Sequence, residues 1–206
     1  MAFNFVKLCL RIFALISLAQ VTYKGLNYLP ENNDPVVFVA NHRGFFDFIL
    51  LYPVLKGLTG PIGKSEFRHY PVIGWWFEPL YGIFLDRNDT RQGLKCILQG
   101  IDYLKSGISI MIFPEGKRGR TEGEMLEFHA GSFKLATKSG ARIIPVAFTG
   151  TGDIFDDHVP FIKTKKVTIE FCEPLETKNL TREEQLALPE KTWNIIHERI
   201  TANINE

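Results

Sequence analysis

The segment of residues 35–55, PVVFVANHRGFFDFILLYPVL, carries the clearest structural pattern of the chain. Its first six residues form a short apolar run rich in valine, which is typical of a buried strand. From Phe45 to Leu55 the apolar residues recur with helical spacing, and Gly57 follows as a plausible end of the helix. The segment therefore predicts a strand that leads through a short polar loop into a helix, which is the start of an α/β unit.

The same alternation continues along the chain. Further strands are predicted at residues 82–85, 108–113, 143–148 and 167–171. Further helices are predicted after an Asp89 N-cap, at 133–138, after a Thr181–Glu184 capping box, and from Pro189 onward. No internal repeat or linker interrupts this order. The pattern predicts a single α/β domain over residues 30–206, with a mostly parallel, possibly mixed, central sheet flanked by helices.

The composition excludes several classes of protein. The 206 residues carry 24 Lys and Arg against 23 Asp and Glu, a net charge of +1, so we expect no nucleic-acid partner. The three cysteines lie far apart and the histidines lack metal-ligand spacing with them, so neither a disulfide framework nor a metal site is predicted. The cluster of Asp153, Asp156, Asp157 and His158 is interpreted as a solvated loop, with a metal site as the alternative. No apolar run reaches 18 residues, so a simple membrane-spanning helix is not expected.

Residues 1–29 differ from the rest because they carry Lys7, Arg11 and Lys24 and no acidic residue. Only 12 residues separate Arg11 from Lys24, too few to cross the bilayer as a helix. The pattern predicts one bent helix or two short helices in the membrane interface, with the cations toward an anionic membrane surface. A signal peptide and a core helix are the alternatives. The first interpretation places the protein on the cytoplasmic face of a membrane, as a peripheral or monotopic protein.

His42 and Asp47 follow the first predicted strand and form an H-x-x-x-x-D pair. The imidazole lies in the loop and the carboxylate lies early in the helix, so a tight turn can bring the side chains together. A carboxylate on Nδ1 fixes the imidazole tautomer and leaves Nε2 as a general base. The alternative is a helix-capping aspartate beside a surface histidine, and the spacing alone does not separate the two.

A cationic segment, residues 113–120 with the sequence FPEGKRGR, follows the third predicted strand. Its three cations beside glycines suit an anion such as phosphate, although a solvated basic loop is the alternative. Arg87 follows the second predicted strand. Ligands of open α/β sheets bind at the carboxyl ends of the strands, so parallel strands would bring His42, Arg87 and Arg118 to one edge.

These residues resemble the motifs of the glycerolipid acyltransferases, specifically the 1-acylglycerol-3-phosphate (lysophosphatidic acid) acyltransferases. Four ordered blocks between about residues 35 and 150 carry the resemblance. They are Asn41-His42 with Asp47; Lys64, Glu66, Pro71 and Gly74 with residues 83–87; residues 113–116 with Arg118; and residues 144–146. Two positions depart from the usual pattern: Gly44 stands where a serine is common, and Lys117 stands where a threonine is common.

The resemblance implies transfer of a fatty acyl group from acyl-CoA or acyl carrier protein to the sn-2 hydroxyl of lysophosphatidic acid, forming phosphatidic acid. No cofactor beyond the thioester co-substrate is implied. His42 would be the base and Asp47 its positioning partner. Substrate binding would fall to Lys64, Arg87, Glu115, Gly116, Lys117 and Arg118, with Glu115 orienting the acceptor or the arginines. The alternatives are an acyltransferase acting on glycerol-3-phosphate or another lysophospholipid, and a non-catalytic lysolipid-binding protein.

Overall fold

A mixed sheet of seven strands forms the centre of the structure, a computed structural model that describes residues 2–30, 34–86 and 89–206. The strands are β1 (Gln20–Lys24), β2 (Val37–Ala40), β3 (Thr59–Lys64), β4 (Ile83–Leu85), β5 (Ser109–Ile112), β6 (Ile143–Thr149) and β7 (Lys166–Phe171). Their order across the sheet is β1-β7-β6-β2-β5-β3-β4. The strands from β2 to β6 are parallel to one another, β7 is antiparallel to β6, and β1 is parallel to β7.

Helices cover both faces of this sheet. They are α1 (Ala2–Ile16), α2 (Phe46–Leu51), α3 (Pro71–Phe77), α4 (Thr90–Lys105), α5 (Lys134–Ser139) and α6 (Arg182–Ile204). α1 and α2 contribute to the apolar cluster on one face, and α4, α5 and α6 contribute to the cluster on the other. All four residues of β2 are buried because this central strand has a helical layer on each side. The predicted fold class, a mostly parallel sheet flanked by helices, is confirmed.

The topology gathers several chain ends at one edge of the sheet. β2, β5 and β6 are parallel, so their carboxyl ends lie together. β7 and β1 run the opposite way, so both of them begin at this same edge. The loops after β2, after β5 and between β6 and β7 are therefore neighbours, and so is the connection from α1 into β1. We call this the carboxyl edge of the sheet.

The sequence predicts only helical structure for the N-terminal segment, but in the structure a helix is followed by a strand. α1 ends at Ile16, and residues 20–24 form β1, which pairs with β7 in the register Gln20↔Lys166. Residues 20–24 therefore belong to the same sheet as the strands of the predicted 30–206 domain. The segment QVTYK is short and half polar, and it forms a strand by pairing with the backbone edge of β7.

An interfacial helix with its cations at the headgroups would turn these cations away from the protein. In the structure, the cations of α1 instead contact the domain. The Lys7 ammonium donates to the carbonyl of Leu55, and the Arg11 guanidinium donates to the carbonyl of Pro53 at 3.4 Å. Burial lowers the pKa of Lys7, and the nearby Arg11 charge lowers it further. Val6 and Leu10 of the same helix are buried in the core. Among the described residues, no helix has both the length and the apolar character to cross a bilayer.

The sequence-based prediction also missed α3 and differs at β3 and at the C-terminal helix. β3, with the sequence TGPIGK, was missed because its two glycines and one proline are typical of turns. The C-terminal region was predicted as two helices, but α6 runs without a break from Arg182 and contains Pro189. The predicted capping box is present, since the Thr181 side chain accepts from the Glu184 N–H and the Glu184 carboxylate accepts from Thr181.

Candidate active site

His42 and Asp47 meet at the carboxyl edge, as their spacing predicted. His42 lies two residues beyond the end of β2, and Asp47 lies in the first turn of α2. The His42 Nδ1 and the Asp47 Oδ2 are 2.8 Å apart. The Asp47 side chain is fully buried, whereas that of His42 is 23% exposed. The pair therefore presents an imidazole to solvent and hides the carboxylate that holds it.

The loop backbone fixes the Asp47 carboxylate in place. Besides the imidazole, Asp47 Oδ2 accepts from the backbone N–H of Arg43 at 2.8 Å and of Gly44 at 3.0 Å. Because an ionised carboxylate can only accept, the neutral His42 imidazole carries its proton on Nδ1, and Nε2 is then the free nitrogen. The imidazole also stacks on the Phe113 ring, with centroids 4.1 Å apart. The tautomer and the ring plane that a general base needs are thus both set by neighbours.

Asn41 anchors this loop to the sheet, a role that the spacing argument did not assign to it. Its side-chain amide donates to the Phe148 carbonyl at 3.0 Å and accepts from the Phe148 N–H at 2.8 Å. Asn41 is buried, so these two bonds satisfy its polar atoms while fixing the end of β2 against β6. Its place next to His42 in the motif was the only sequence signal for this function.

Glu115 lies inside the protein rather than on the open side of the site. One carboxylate oxygen accepts from the His42 N–H at 2.9 Å, and the other accepts from the Leu126 N–H at 3.0 Å. The residue is only 3% exposed, and burial raises the pKa of Glu115 to about 7, although the two backbone bonds oppose the shift. Glu115 therefore connects the histidine loop to the loop after β5. This geometry supports a role in positioning His42 itself.

The other predicted binding residues lie at the same edge or outside the described residues. Gly116 closes a turn, with its N–H on the Phe113 carbonyl at 3.2 Å, and has a φ of +77°, which favours glycine. Lys117 is exposed, while Lys64 ends β3, two strands from β2, and is also exposed. Arg87 lies outside the described residues, so its predicted convergence stays a prediction.

Arg118 is paired with an acid from the loop between β6 and β7. Its guanidinium lies 2.5 Å from one Asp156 oxygen, and the other Asp156 oxygen accepts from the Phe45 N–H at 2.7 Å. Arg118 remains 40% exposed, so an incoming anion can reach it. Asp156 thus connects the predicted phosphate-binding residue to the histidine loop.

The sequence predicts a solvated loop for the acidic residues within 153–158, but in the structure these residues form ion pairs with the site. Besides Asp156, Asp157 pairs with Arg43 at 2.5 Å, and Arg43 is 5% exposed. These partners were missed because they are far apart in the chain, and the parallel arrangement of β2, β5 and β6 brings their loops to one edge of the sheet. The same packing accounts for Gly44, since a Cβ there would lie 2.7 Å from an Asp156 oxygen and 3.0 Å from the Gly152 Cα. A serine at position 44 would therefore require a different position of the loop between β6 and β7.

The fold and site define an α/β protein with a carboxylate-held histidine at the carboxyl edge of its sheet, beside exposed cations. Comparison with known families agrees with this class. The family model described as Acyltransferase matches residues 20–149, which is more than half of the chain. The chain belongs to this acyltransferase family.

Individual relatives are similar in sequence or in fold. A chloroplast 1-acyl-sn-glycerol-3-phosphate acyltransferase of Arabidopsis thaliana is 33% identical over 135 residues, covering 66% of this chain and 37% of the relative. One from Chlamydomonas reinhardtii is 35% identical over 135 residues, covering 66% and 40%. The chain thus spans about two fifths of the length of these relatives. The crystal structure of the 1-acyl-sn-glycerophosphate acyltransferase from Thermotoga maritima matches with a TM-score of 0.86 at 24% identity, covering 99% of this chain and 80% of that one.

Proposed function

We propose that the protein transfers a fatty acyl group from an acyl thioester to the sn-2 hydroxyl of 1-acylglycerol-3-phosphate, forming phosphatidic acid. The observation that carries this proposal is the 2.8 Å contact between His42 Nδ1 and the buried Asp47, which leaves Nε2 as a base at the carboxyl edge. The names of the relatives supply the substrate class, since the Arabidopsis and Chlamydomonas proteins are named 1-acyl-sn-glycerol-3-phosphate acyltransferases.

The reaction needs one base and a leaving group that leaves readily. His42 Nε2 removes the hydroxyl proton as the acceptor oxygen attacks the thioester carbonyl, and the buried Asp47 carboxylate stabilises the imidazolium that forms. The carbon–sulfur bond then breaks, and the thiolate takes the proton from His42. A thiol pKa of about 8.5 makes this a good leaving group near neutral pH. Atoms and charge balance without a covalent acyl-enzyme. In agreement with this, none of the serines in the sequence lies in a G-x-S-x-G motif, the usual context of an activated serine nucleophile in α/β-hydrolases.

The acceptor's phosphate is assigned to the cations beside the base. Arg118 can offer a planar guanidinium to a phosphate monoester, while the exposed Lys117 adds a point charge. The Asp156 pair holds the Arg118 guanidinium near the histidine loop, because Asp156 is itself bound to the Phe45 N–H. Arg87 and Lys64 stay proposals from the sequence. The distance from phosphate to the sn-2 hydroxyl is short, which suits a site where base and cations are neighbours.

Contact with a membrane is assigned to the exposed side of α1. Large apolar side chains cover this side, and Lys7 and Arg11 are turned toward the domain. The exposed residues are Phe5, Leu8, Ile12, Phe13, Leu15 and Ile16. A helix with an apolar face free of charge, attached to a domain that uses a lipid acceptor, fits insertion into the interfacial layer of a bilayer. Attachment to the cytoplasmic face is part of the same proposal.

An acyl-transfer assay with matched acceptors tests the function. The assay compares four acceptors: lysophosphatidic acid, glycerol-3-phosphate, lysophosphatidylcholine and monoacylglycerol. Each acceptor is assayed once with acyl-CoA and once with acyl carrier protein carrying the acyl group as the donor. We expect product to form faster with lysophosphatidic acid than with the other acceptors. The donor that gives the faster rate is then identified as the preferred one. Preference for glycerol-3-phosphate or lysophosphatidylcholine would assign a related acyltransferase activity. Binding of lysophosphatidic acid without turnover by either donor would identify a lysolipid-binding protein and contradict the proposal.

A further inference from the structure

The loop between β6 and β7 carries an apolar tip for which the catalytic site has no use. Val159, Phe161 and Ile162 are 64%, 70% and 51% exposed, although they lie within four residues of one another. Three large apolar side chains at the tip of a loop expose a concentrated apolar surface, unlike scattered surface residues. The tip therefore needs a partner that covers it.

The backbone holds this tip outward. The Phe161 N–H donates to the His158 carbonyl at 2.8 Å, and the Lys163 N–H donates to the Ile154 carbonyl at 2.8 Å. Ile154 is fully buried, so the second bond ties the end of the tip to the core. The exposed side chains are consequently presented from a closed turn and not from an extended segment.

Charge around the tip identifies the partner. Lys163, Lys165 and Lys166 follow the apolar residues directly, and Lys163 and Lys166 are exposed. The acids of the same loop are used inward, because Asp156 and Asp157 pair with arginines of the site and Asp153 pairs with Lys165. An apolar tip followed by exposed cations matches the order of a bilayer surface, in which anionic phosphates lie above acyl chains.

The position of the tip agrees with this partner. The Gln20 N–H donates to the Lys165 carbonyl at 2.9 Å, so the loop ends beside the connection from α1 into β1. Leu18, which precedes this connection, is 70% exposed. At its other end the loop reaches the site through Asp156, which binds Arg118. The loop thus extends from the histidine and its cations to the C-terminal end of the apolar side of α1.

We propose that residues 159–166 form a second lipid-contacting element, separate from α1, that binds an anionic bilayer. Val159, Phe161 and Ile162 enter the interfacial layer, and Lys163 and Lys166 contact lipid phosphates. Two elements at one edge of the sheet fix the orientation of the domain, which a single helix cannot do. The mouth of the site then faces the surface in which a lipid acceptor lies.

Vesicle binding by paired variants of the full chain tests this proposal. The loop variant combines Phe161→Ser and Ile162→Ser. The control variant combines Leu94→Ser and Leu98→Ser, which removes a similar exposed apolar area from α4, on the face of the sheet opposite α1. Sedimentation with phosphatidylcholine vesicles containing phosphatidylserine measures the partition coefficient. We expect the loop variant to bind at least about tenfold more weakly than the wild type. The α4 variant should bind like the wild type.

Substitution of the two exposed lysines gives a second variant, in which the apolar side chains of the tip are unchanged. Lys163→Gln with Lys166→Gln is expected to weaken binding by about fivefold per lysine on anionic vesicles and to have no effect on pure phosphatidylcholine. Wild-type binding by both the serine pair and the glutamine pair would overturn the proposal. Equal losses from the loop and α4 pairs would overturn it too, because the effect would then be general surface hydrophobicity.

A water-soluble assay separates this inference from the proposed function. Short-chain lysophosphatidic acid that stays monomeric in solution needs no bilayer, so the loop variants should use it at the wild-type rate while losing activity on vesicle-bound acceptor. A loss on both substrates would mean that the loop maintains the site itself and would overturn the docking role. Weaker vesicle binding by a protein with no acyl transfer would leave the docking element in place and contradict only the proposed function.

Discussion

Replacing Glu115 with glutamine should make the free energy of unfolding less sensitive to pH. The Glu115 carboxyl is 3% exposed, and burial raises its pKa from 4.5 to about 7 in the folded protein. In the unfolded chain the same group ionises near its ordinary pKa. Between these two values the folded state holds the proton more tightly, so the wild type loses stability as pH rises from about 4.5 to 7. Glutamine stays neutral throughout and resembles the protonated acid in shape.

The magnitude follows from the two pKa values. A difference of about 2.5 units corresponds to about 3 kcal/mol over the complete titration, of which about 2.5 kcal/mol falls between pH 5 and pH 8. The unfolding free energy of Glu115→Gln minus that of the wild type should therefore rise by about this amount between those pH values. The difference isolates Glu115, because the other titrating groups are shared by both proteins.

Urea unfolding of both proteins at pH 5 and pH 8, followed by far-UV circular dichroism, measures this difference. Glu190→Gln on the exposed side of α6 is the control and should give a difference that does not change with pH. A pH-independent difference for Glu115→Gln would show that the pKa of Glu115 is not raised in the folded protein. It would mean that the N–H bonds from His42 and Leu126 compensate fully for the burial of the ionised carboxylate.

Three further substitutions test the site and the fold. Asp47→Asn should lower kcat by about 10²–10⁴-fold, since the imidazolium loses its buried counter-charge, as measured by steady-state acyl transfer by a folded variant. Arg118→Ala should raise the KM for lysophosphatidic acid by about tenfold or more, through loss of a charged hydrogen bond, and leave the thioester KM unchanged. Thr181→Ala should lower the unfolding free energy by about 1 kcal/mol, because α6 loses its N-cap, with no change in kcat.

The central part of the fold follows from local patterns in the sequence. The apolar run at β2 and the cap at Asp89, whose side chain accepts from Arg91 and Gln92, depend on neighbours in the chain. β3 and β1 could not be predicted in this way. β3 has the composition of a turn, and β1 is a strand because β7 offers it a backbone edge.

The same distinction applies to the candidate site. His42 and Asp47 are five residues apart, so the pair and its geometry were predictable from a tight turn. The partners of Glu115 and Arg118 were not, because Leu126 and Asp156 reach them from loops whose positions the tertiary structure sets. The burial of Glu115 in particular depends on packing and leaves no pattern in the sequence.

Single-turnover acyl transfer by His42→Ala tests the proposed chemistry at its centre, because His42 is the only described group to which we assign proton transfer. We expect the rate to fall by about 10²–10⁴-fold, while binding of lysophosphatidic acid and the urea unfolding midpoint stay close to those of the wild type. A transfer rate within a few-fold of the wild type, by a folded variant that binds the acceptor, would contradict the assignment of His42 as the base.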